Sequence, residues 1–293
     1  CTLTAQKETE PITFDAGSFT ITTLNEHEVQ RPSKPNNLIG ATEEILNQYI
    51  PGGTYNSATN AFLLESSGKN ILVDAGVGNR LTDNLAKCGK NPGDIHIILL
   101  THLHGDHIGG LLKDGKKVFP NATLYMSHAE HDYWTNNEIM QSLPENKRRG
   151  FTHAQEVVKI YRDKLQLFVP DEADKMKQEL LPGIRSIAAY GHTPGHTAYL
   201  LDSDGYQLLI WGDLTHVTPV QIPRPEIAVT YDTNPEQAIK TRQQLLKYVS
   251  KNRIRIAGMH VEYPGLGNVK GDPSEGYDFK LLCDCEGSLP DTR

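Results

Sequence analysis

Apolar and polar positions alternate over 18–24 (SFTITTL), and this period of two, with its Thr and Ile content, predicts a β-strand. The runs AFLLE (61–65) and NILVDA (70–75) flank Ser66-Ser67-Gly68-Lys69 and predict a β-hairpin. DIHIILLT (94–101) is apolar without alternation and of strand length, the pattern of a strand covered on both faces. TLYMSH (123–128), IRSIAAY (184–190), TAYLLDS (197–203) and YQLLIWGD (206–213) predict further strands, and IRIAGM (254–259) reads as the closing one. Helices are predicted over 41–50, stopped by Pro51-Gly52-Gly53, around 80–88, and from 235 onward. At the last of these Asn234 can cap, Pro235 suits the first helical position, and Ile239, Leu245, Leu246 and Val249 recur at helical spacing. Residues 129–170 read as a helical insertion, and 25–57, rich in Pro, Asn and Gly, as a long loop around the 41–50 helix. The ends, 1–17 and 271–293, read as a flexible segment and a polar tail.

A chain of 293 residues with 22% charged residues fits one large α/β domain that buries its own core without disulfide staples. Its four cysteines form no disulfide framework, and Cys283 and Cys285 are too close to staple anything. The net charge of −7 and the absence of a long basic block argue against a nucleic-acid partner. No apolar run is long enough for a membrane-spanning helix. A start at Cys1 rather than Met fits removal of an export signal, and an N-terminal Cys resembles that of a bacterial lipoprotein. The expectation is a periplasmic or secreted protein, lipid-anchored through Cys1 in one version, and a cytoplasmic one if that start is arbitrary.

The chemistry gathers after the strands. Thr101-His102-Leu103-His104-Gly105-Asp106-His107 follows the buried run directly. Residues two apart in extended chain share a side, so His102, His104 and Asp106 can face one pocket, with His107 beside them where the chain turns. Imidazole and carboxylate suit zinc and its first-row neighbours. Further donors follow later strands: His192 and His196 in GHTPGH, Asp213 in WGD, and His260 in GMH.

These ordered motifs resemble the five metal motifs of the metallo-β-lactamase superfamily, over about residues 60–262. The resemblance implies an α/β fold of the αββα sandwich type as a single domain, here 18–270, holding two divalent metal ions. Zinc is the first choice, with manganese, cobalt and iron as alternatives. It implies His102, His104 and His196 on the first metal, Asp106, His107 and His260 on the second, and Asp213 between them. It leaves His192 outside the ligand set and gives Asp74, in VDAG, an orienting role. Two metals about 3.5–4 Å apart can share a water, lower its pKa and direct the hydroxide at a carbonyl or phosphorus. Asp106 is then a catalytic as well as a ligating residue. His216, in GDLTH, is a candidate acid for the leaving group, or only a pocket wall; similar lactonases carry a tyrosine there.

The stretches GDLTHVTPVQIPRPEIAVTYDTNPEQAIKTRQQLL, GMHVEYPGLGNV and FPNATLYMSHAEHDYW resemble the lactonase and methyl parathion hydrolase branch. That implies a small-molecule lactone or ester substrate, with phosphotriesters as a promiscuous or alternative substrate, and a homodimer. Leu81, Trp134 and Phe151 are candidates for an apolar pocket, or else for core packing. Two other classes stay open on the same ligands: an iron-dependent redox enzyme and a non-catalytic metal-binding protein.

Overall fold

The computed structural model describes residues 9–282. Two sheets stack face to face. The first runs in the order Ile12–Ala16, Phe19–Pro32, Thr54–Ser66, Lys69–Val73, Ile97–Leu99, Thr123–Ser127, Leu165–Phe168, antiparallel as far as Lys69–Val73 and parallel from there on. The second runs Ile184–Ala188, Thr197–Ser203, Tyr206–Ile210, Arg255–Ala257, Leu266–Asp272, Gly276–Leu281.

Strand periodicity sorts the apolar side chains into layers. Phe62 and Leu64 point between the sheets with Ile210, Leu201 and Tyr199 of the second sheet. Their neighbours Ala61 and Leu63 point outward, under Leu81, Leu85 and Val157 of the helices Leu81–Lys87 and Glu145–Tyr161. Leu200, Leu209 and Ile256 likewise face the helix Pro235–Asn252 through Leu245, Leu246 and Val249. The layers therefore run helix, sheet, sheet, helix, the αββα sandwich. Strands covered on both faces read as unbroken apolar runs because neither face meets water. Asn234 Oδ1 accepts the Gln237 N–H at 3.1 Å, the predicted cap. Among the described residues no helix is long and apolar enough to cross a membrane.

Four expectations need correction. Most of the ends of the 25–57 loop is strand: Phe19–Pro32 and Thr54–Ser66 pair out to Pro32 opposite Thr54, so only 33–53 lies outside the main sheets. This outer stretch is half-buried to exposed, and a ladder with no apolar face carries no strand period to read. The 1–17 segment contains the edge strand Ile12–Ala16, paired antiparallel with the next strand. The tail beyond 271 supplies Gly276–Leu281, so 254–259 is not the closing strand. The 129–170 insertion is helical over His128–Thr135, Asn137–Ser142 and Glu145–Tyr161, but ends in the strand Leu165–Phe168, parallel to Thr123–Ser127. Cys1, Cys283 and Cys285 lie outside the described residues.

Residues 33–53 are roofed onto the 217–229 segment. Leu38, Leu46 and Ile50 pack with Val217, Val220, Ile227 and Val229, and Ala228–Val229 forms a short ladder with Leu38–Ile39. Buried Arg242 pins the same segment from the Pro235–Asn252 helix. Its Nε donates to the Leu214 carbonyl at 2.8 Å and its Nη1 to those of Pro225 and Ile227 at 2.9 and 2.7 Å. Burial pushes its pKa down to about 10, which still leaves it charged at neutral pH. We predict that Arg242→Leu, which strands these carbonyls, destabilises the fold by about 3 kcal/mol in urea unfolding. A loss below about 0.5 kcal/mol would refute the pinning role.

Candidate metal centre

The loop after Ile97–Leu99 is fixed from below by Asp74. Its Oδ1 accepts the Thr101 N–H at 2.8 Å, and its Oδ2 accepts the Thr101 hydroxyl at 2.7 Å. The same Oδ2 takes the Nδ1 proton of His107 at 2.6 Å, which fixes the tautomer and turns Nε2 inward. Asp74 sits at φ 59°, the left-handed conformation that lets the chain turn there. Its expected orienting role has this geometry.

The side chains from four loops then converge. His104 Nδ1 lies 3.0 Å from His102 Nε2 and 2.9 Å from His192 Nε2. Asp213 Oδ2 lies 3.6 Å from His102 Nε2 and 3.3 Å from His192 Nε2. On the other side, His260 Nε2 lies 3.4 Å from Asp106 Oδ2 and 3.2 Å from Asp213 Oδ2. His107 Nε2 lies 3.1 Å from Asp213 Oδ1 and 3.8 Å from Asp106 Oδ1. Donors bonded tetrahedrally to one zinc stand about 3.4 Å apart, so both groups have the right spacing. Geometrically, His102, His104, His192 and Asp213 can hold one cation, and Asp106, His107 and His260 a second.

One detail tests the fit. His107 Nε2 and Asp213 Oδ1 are buried and 3.1 Å apart, yet neither has a hydrogen-bond partner. Buried polar atoms are rarely orphaned. The two face each other off the hydrogen-bonding axis, drawn together by charge, in the arrangement of two donors that converge on one cation. Burial holds His102 and His104 well below the ordinary histidine pKa, which leaves them neutral with lone pairs to donate. Burial alone would raise the pKa of Asp213, but the imidazoles beside it, His107 and His260 foremost, outweigh it and hold this pKa well below the carboxylate range. The donor set fits a pair of divalent cations.

His196 does not join the cluster, contrary to expectation. Its Nδ1 is bound to the Ala189 carbonyl at 2.8 Å, and its Nε2 accepts the Asp213 N–H at 2.9 Å, so both ring nitrogens are spent on backbone. It positions the Gly212-Asp213 turn instead. Gly212 lies at φ 60°, and a Cβ there would meet His196 Nε2 at 2.3 Å. His192, left out of the expected ligands, is the member of GHTPGH that reaches in.

Two carboxylates were missed entirely. Asp232 Oδ1 bonds His192 Nδ1 at 2.8 Å and so aims Nε2 at the cluster, as Asp74 does for His107. Glu130, fully buried, accepts four donors: the Leu103 N–H at 2.9 Å, Trp134 Nε1 at 2.6 Å, the Thr193 hydroxyl at 2.6 Å and the Gly195 N–H at 3.0 Å. It ties both histidine loops to the helix His128–Thr135. A Cβ on Gly195 would fall 2.1 Å from Glu130 N, so this packing requires glycine. Neither acid is flagged by local spacing, because each reaches the histidine loops across 27 residues or more.

A cavity of about 420 Å³ opens onto the cluster. His216 lines it, with Nε2 3.0 Å from Asp213 Oδ2 and its backbone N–H held by Gln221 Oε1 at 2.7 Å. Leu81 and Phe151 do not line it; both are buried in the layer between the helices and the first sheet, which their amphipathic helices turn toward the sheet. Trp134 belongs to the same layer, its ring backing His104 at 5.5 Å, with Phe151 behind it at 4.6 Å.

Comparison with known proteins agrees with this architecture. The family model described as the metallo-beta-lactamase superfamily matches residues 54–260. The structure of AidC, a dizinc quorum-quenching lactonase in complex with a product, superposes with a TM-score of 0.83 at 26% identity, covering 94% of this chain and 98% of that one. The hydrolase AbOPH, in the beta lactamase superfamily, gives 0.81 at 29% identity, covering 94% and 99%. Among curated relatives, the exodeoxyribonuclease WalJ of Streptococcus pneumoniae is 48% identical over 82 residues. That match spans 26% of this chain and 30% of the length of WalJ.

The geometry generates a paired prediction. Elemental analysis of His192→Ala should show about one metal fewer per chain, since one of its two sites loses a donor. His196→Ala should retain both metals while losing about 1–3 kcal/mol of stability. The reverse pattern would return His196 to the ligand set.

Proposed function

The chain belongs to the metallo-beta-lactamase superfamily, and on that premise we propose that it is a two-metal hydrolase that opens lactones or cleaves related esters. The observation that carries this is the orphaned pair His107 Nε2 and Asp213 Oδ1, buried 3.1 Å apart as converging donors beside a substrate-sized cavity. His102, His104 and His192 would hold one metal, and Asp106, His107 and His260 the other. Asp213 would serve both, because its Oδ2 faces histidines of each group. When bound, such a pair brings the pKa of water toward neutrality and polarises the oxygen under attack.

The chain's own residues prepare that chemistry. Asp74 and Asp232 hold the Nδ1 protons of His107 and His192, so that Nε2 of each is the donor. His260 Nδ1 donates to the Ala58 carbonyl at 3.0 Å, with the same result. His216 is placed to act as a neutral hydrogen-bond donor rather than a charged acid. Burial pulls its pKa down to about 4 even though Asp213 pulls upward, so at neutral pH it offers an Nε2 proton without a positive charge. Lactone or ester cleavage is favoured over cleavage of a nucleic-acid backbone on two grounds. The likeness to the lactonase AidC extends over nearly the whole chain, and that to WalJ over about a quarter of it. The net charge of −7 also opposes a polyanion. Phosphotriesters would meet the same donors.

Three substrates test the reading: an acyl-homoserine lactone, an aryl ester and a phosphotriester. The metal-loaded protein should hydrolyse the first two, lose that activity on exhaustive chelation, and recover it with zinc, manganese or cobalt. Failure with all three when fully loaded would defeat the proposal. His216→Ala should lower kcat by roughly 10²-fold with metal content unchanged. Loss of a metal equivalent instead would make His216 a ligand.

A further inference from the structure

The cavity has a second, cationic pole. Arg31 and Lys34 line it, and among the described residues the only acids that do are Asp106 and Asp213 of the cluster itself. Neither cation takes part in an ion pair among the described residues. In a chain of net charge −7, two unpaired cations on one cavity wall are a local reversal of sign.

Strand pairing puts them there. Arg31 stands opposite Tyr55 in the ladder between Phe19–Pro32 and Thr54–Ser66, so the two side chains leave the same face, and both line the cavity. The Ser33 N–H donates to the Gly53 carbonyl at 2.9 Å and anchors the chain just before Lys34. Further inward along Thr54–Ser66, Ser57 shares the face of Tyr55 and also lines the cavity. Beyond it the Ala58 carbonyl holds His260. Ala58 is three residues along the strand from Tyr55, so the cationic pole lies about 10 Å from the cluster edge.

We propose that the cavity selects a lactone or ester that carries an anionic arm, whose charge meets Arg31 and Lys34 while the scissile bond lies at the metal cluster. The inference rests on the hydrolase reading above and deepens it. Tyr55, Leu38 and Ile50 give the intervening arm an apolar wall. Arg31 and Lys34 are exposed, so the attraction is moderate and screened by salt. It acts on binding, and therefore on KM rather than kcat.

The test compares mono(4-nitrophenyl) suberate with its methyl ester, two substrates of the same acyl chain and leaving group that differ in one remote charge. For the metal-loaded enzyme in low salt, kcat/KM should favour the charged ester by about fivefold or more, carried by KM. That preference should shrink as salt rises. Arg31→Glu combined with Lys34→Glu should invert it, and Arg31→Gln with Lys34→Gln should abolish it. Lys251→Glu makes the same kind of charge change on an exposed helix end outside the cavity and should leave the ratio between the two esters as it was. Equal turnover of both esters by the parent enzyme, or a preference that survives the double reversal, overturns the anionic-arm inference and leaves the hydrolase reading standing. Turnover of neither ester also overturns the anionic-arm inference, and the hydrolase reading falls with it only if the acyl-homoserine lactone, the aryl ester and the phosphotriester fail as well.

Discussion

Asp213 is a carboxylate with almost no access to water, ringed by the imidazoles of His102, His107, His192, His216 and His260. Taking an ionised carboxylate out of water costs several kcal/mol unless positive charge and hydrogen bonds replace the solvent. The surrounding structure is arranged to meet that demand. The Asp213 backbone N–H is bound by His196, its position is set by a left-handed glycine, and one of its oxygens still has no hydrogen-bond partner. A site so supplied with lone pairs, and with a carboxylate at its middle, has the donors that a pair of cations would need.

The support around this centre follows one scheme. Each inward-facing histidine that depends on a fixed tautomer has an acceptor behind it: Asp74 for His107, Asp232 for His192, the Ala58 carbonyl for His260. Glu130 sits beneath two of the loops and satisfies donors from both, which ties the two loops to one side chain. These acids are buried and saturated with donors, which makes them parts of the scaffold rather than reactive groups. The sandwich provides the rigid frame, because the loops leave strands packed on both faces.

The differences between expected and observed structure share a cause. The expectation that His196 ligates and His192 does not reads the order of GHTPGH correctly but not the direction of its side chains. Which of two histidines four residues apart points inward depends on the turn between them and on the partners each finds, Asp232 for one and the Asp213 N–H for the other. Leu81, Trp134 and Phe151 are apolar enough for a pocket wall or a core, and helix orientation assigns them to the core. The cavity is walled instead by residues of 31–57 and 217–231, two stretches whose sequences show no common feature before they pack together.

Local pattern by itself determined most of the strands, the capped helix at Asn234 and the donor-rich loop 101–107, because period-two burial, cap chemistry and closely spaced histidines are properties of neighbouring residues; the αββα layering and six of the seven converging donors were what the family resemblance implied. Tertiary structure decided the extension of the Phe19–Pro32 ladder, the strand Gly276–Leu281, the choice between His192 and His196, the service of Asp232 and Glu130, and the cationic pole at Arg31 and Lys34. Each of these depends on a partner distant in the chain or on a face that no short window reveals. Sequence periodicity records which side of an element is buried, whereas the identity of what buries it is set only when the loops meet.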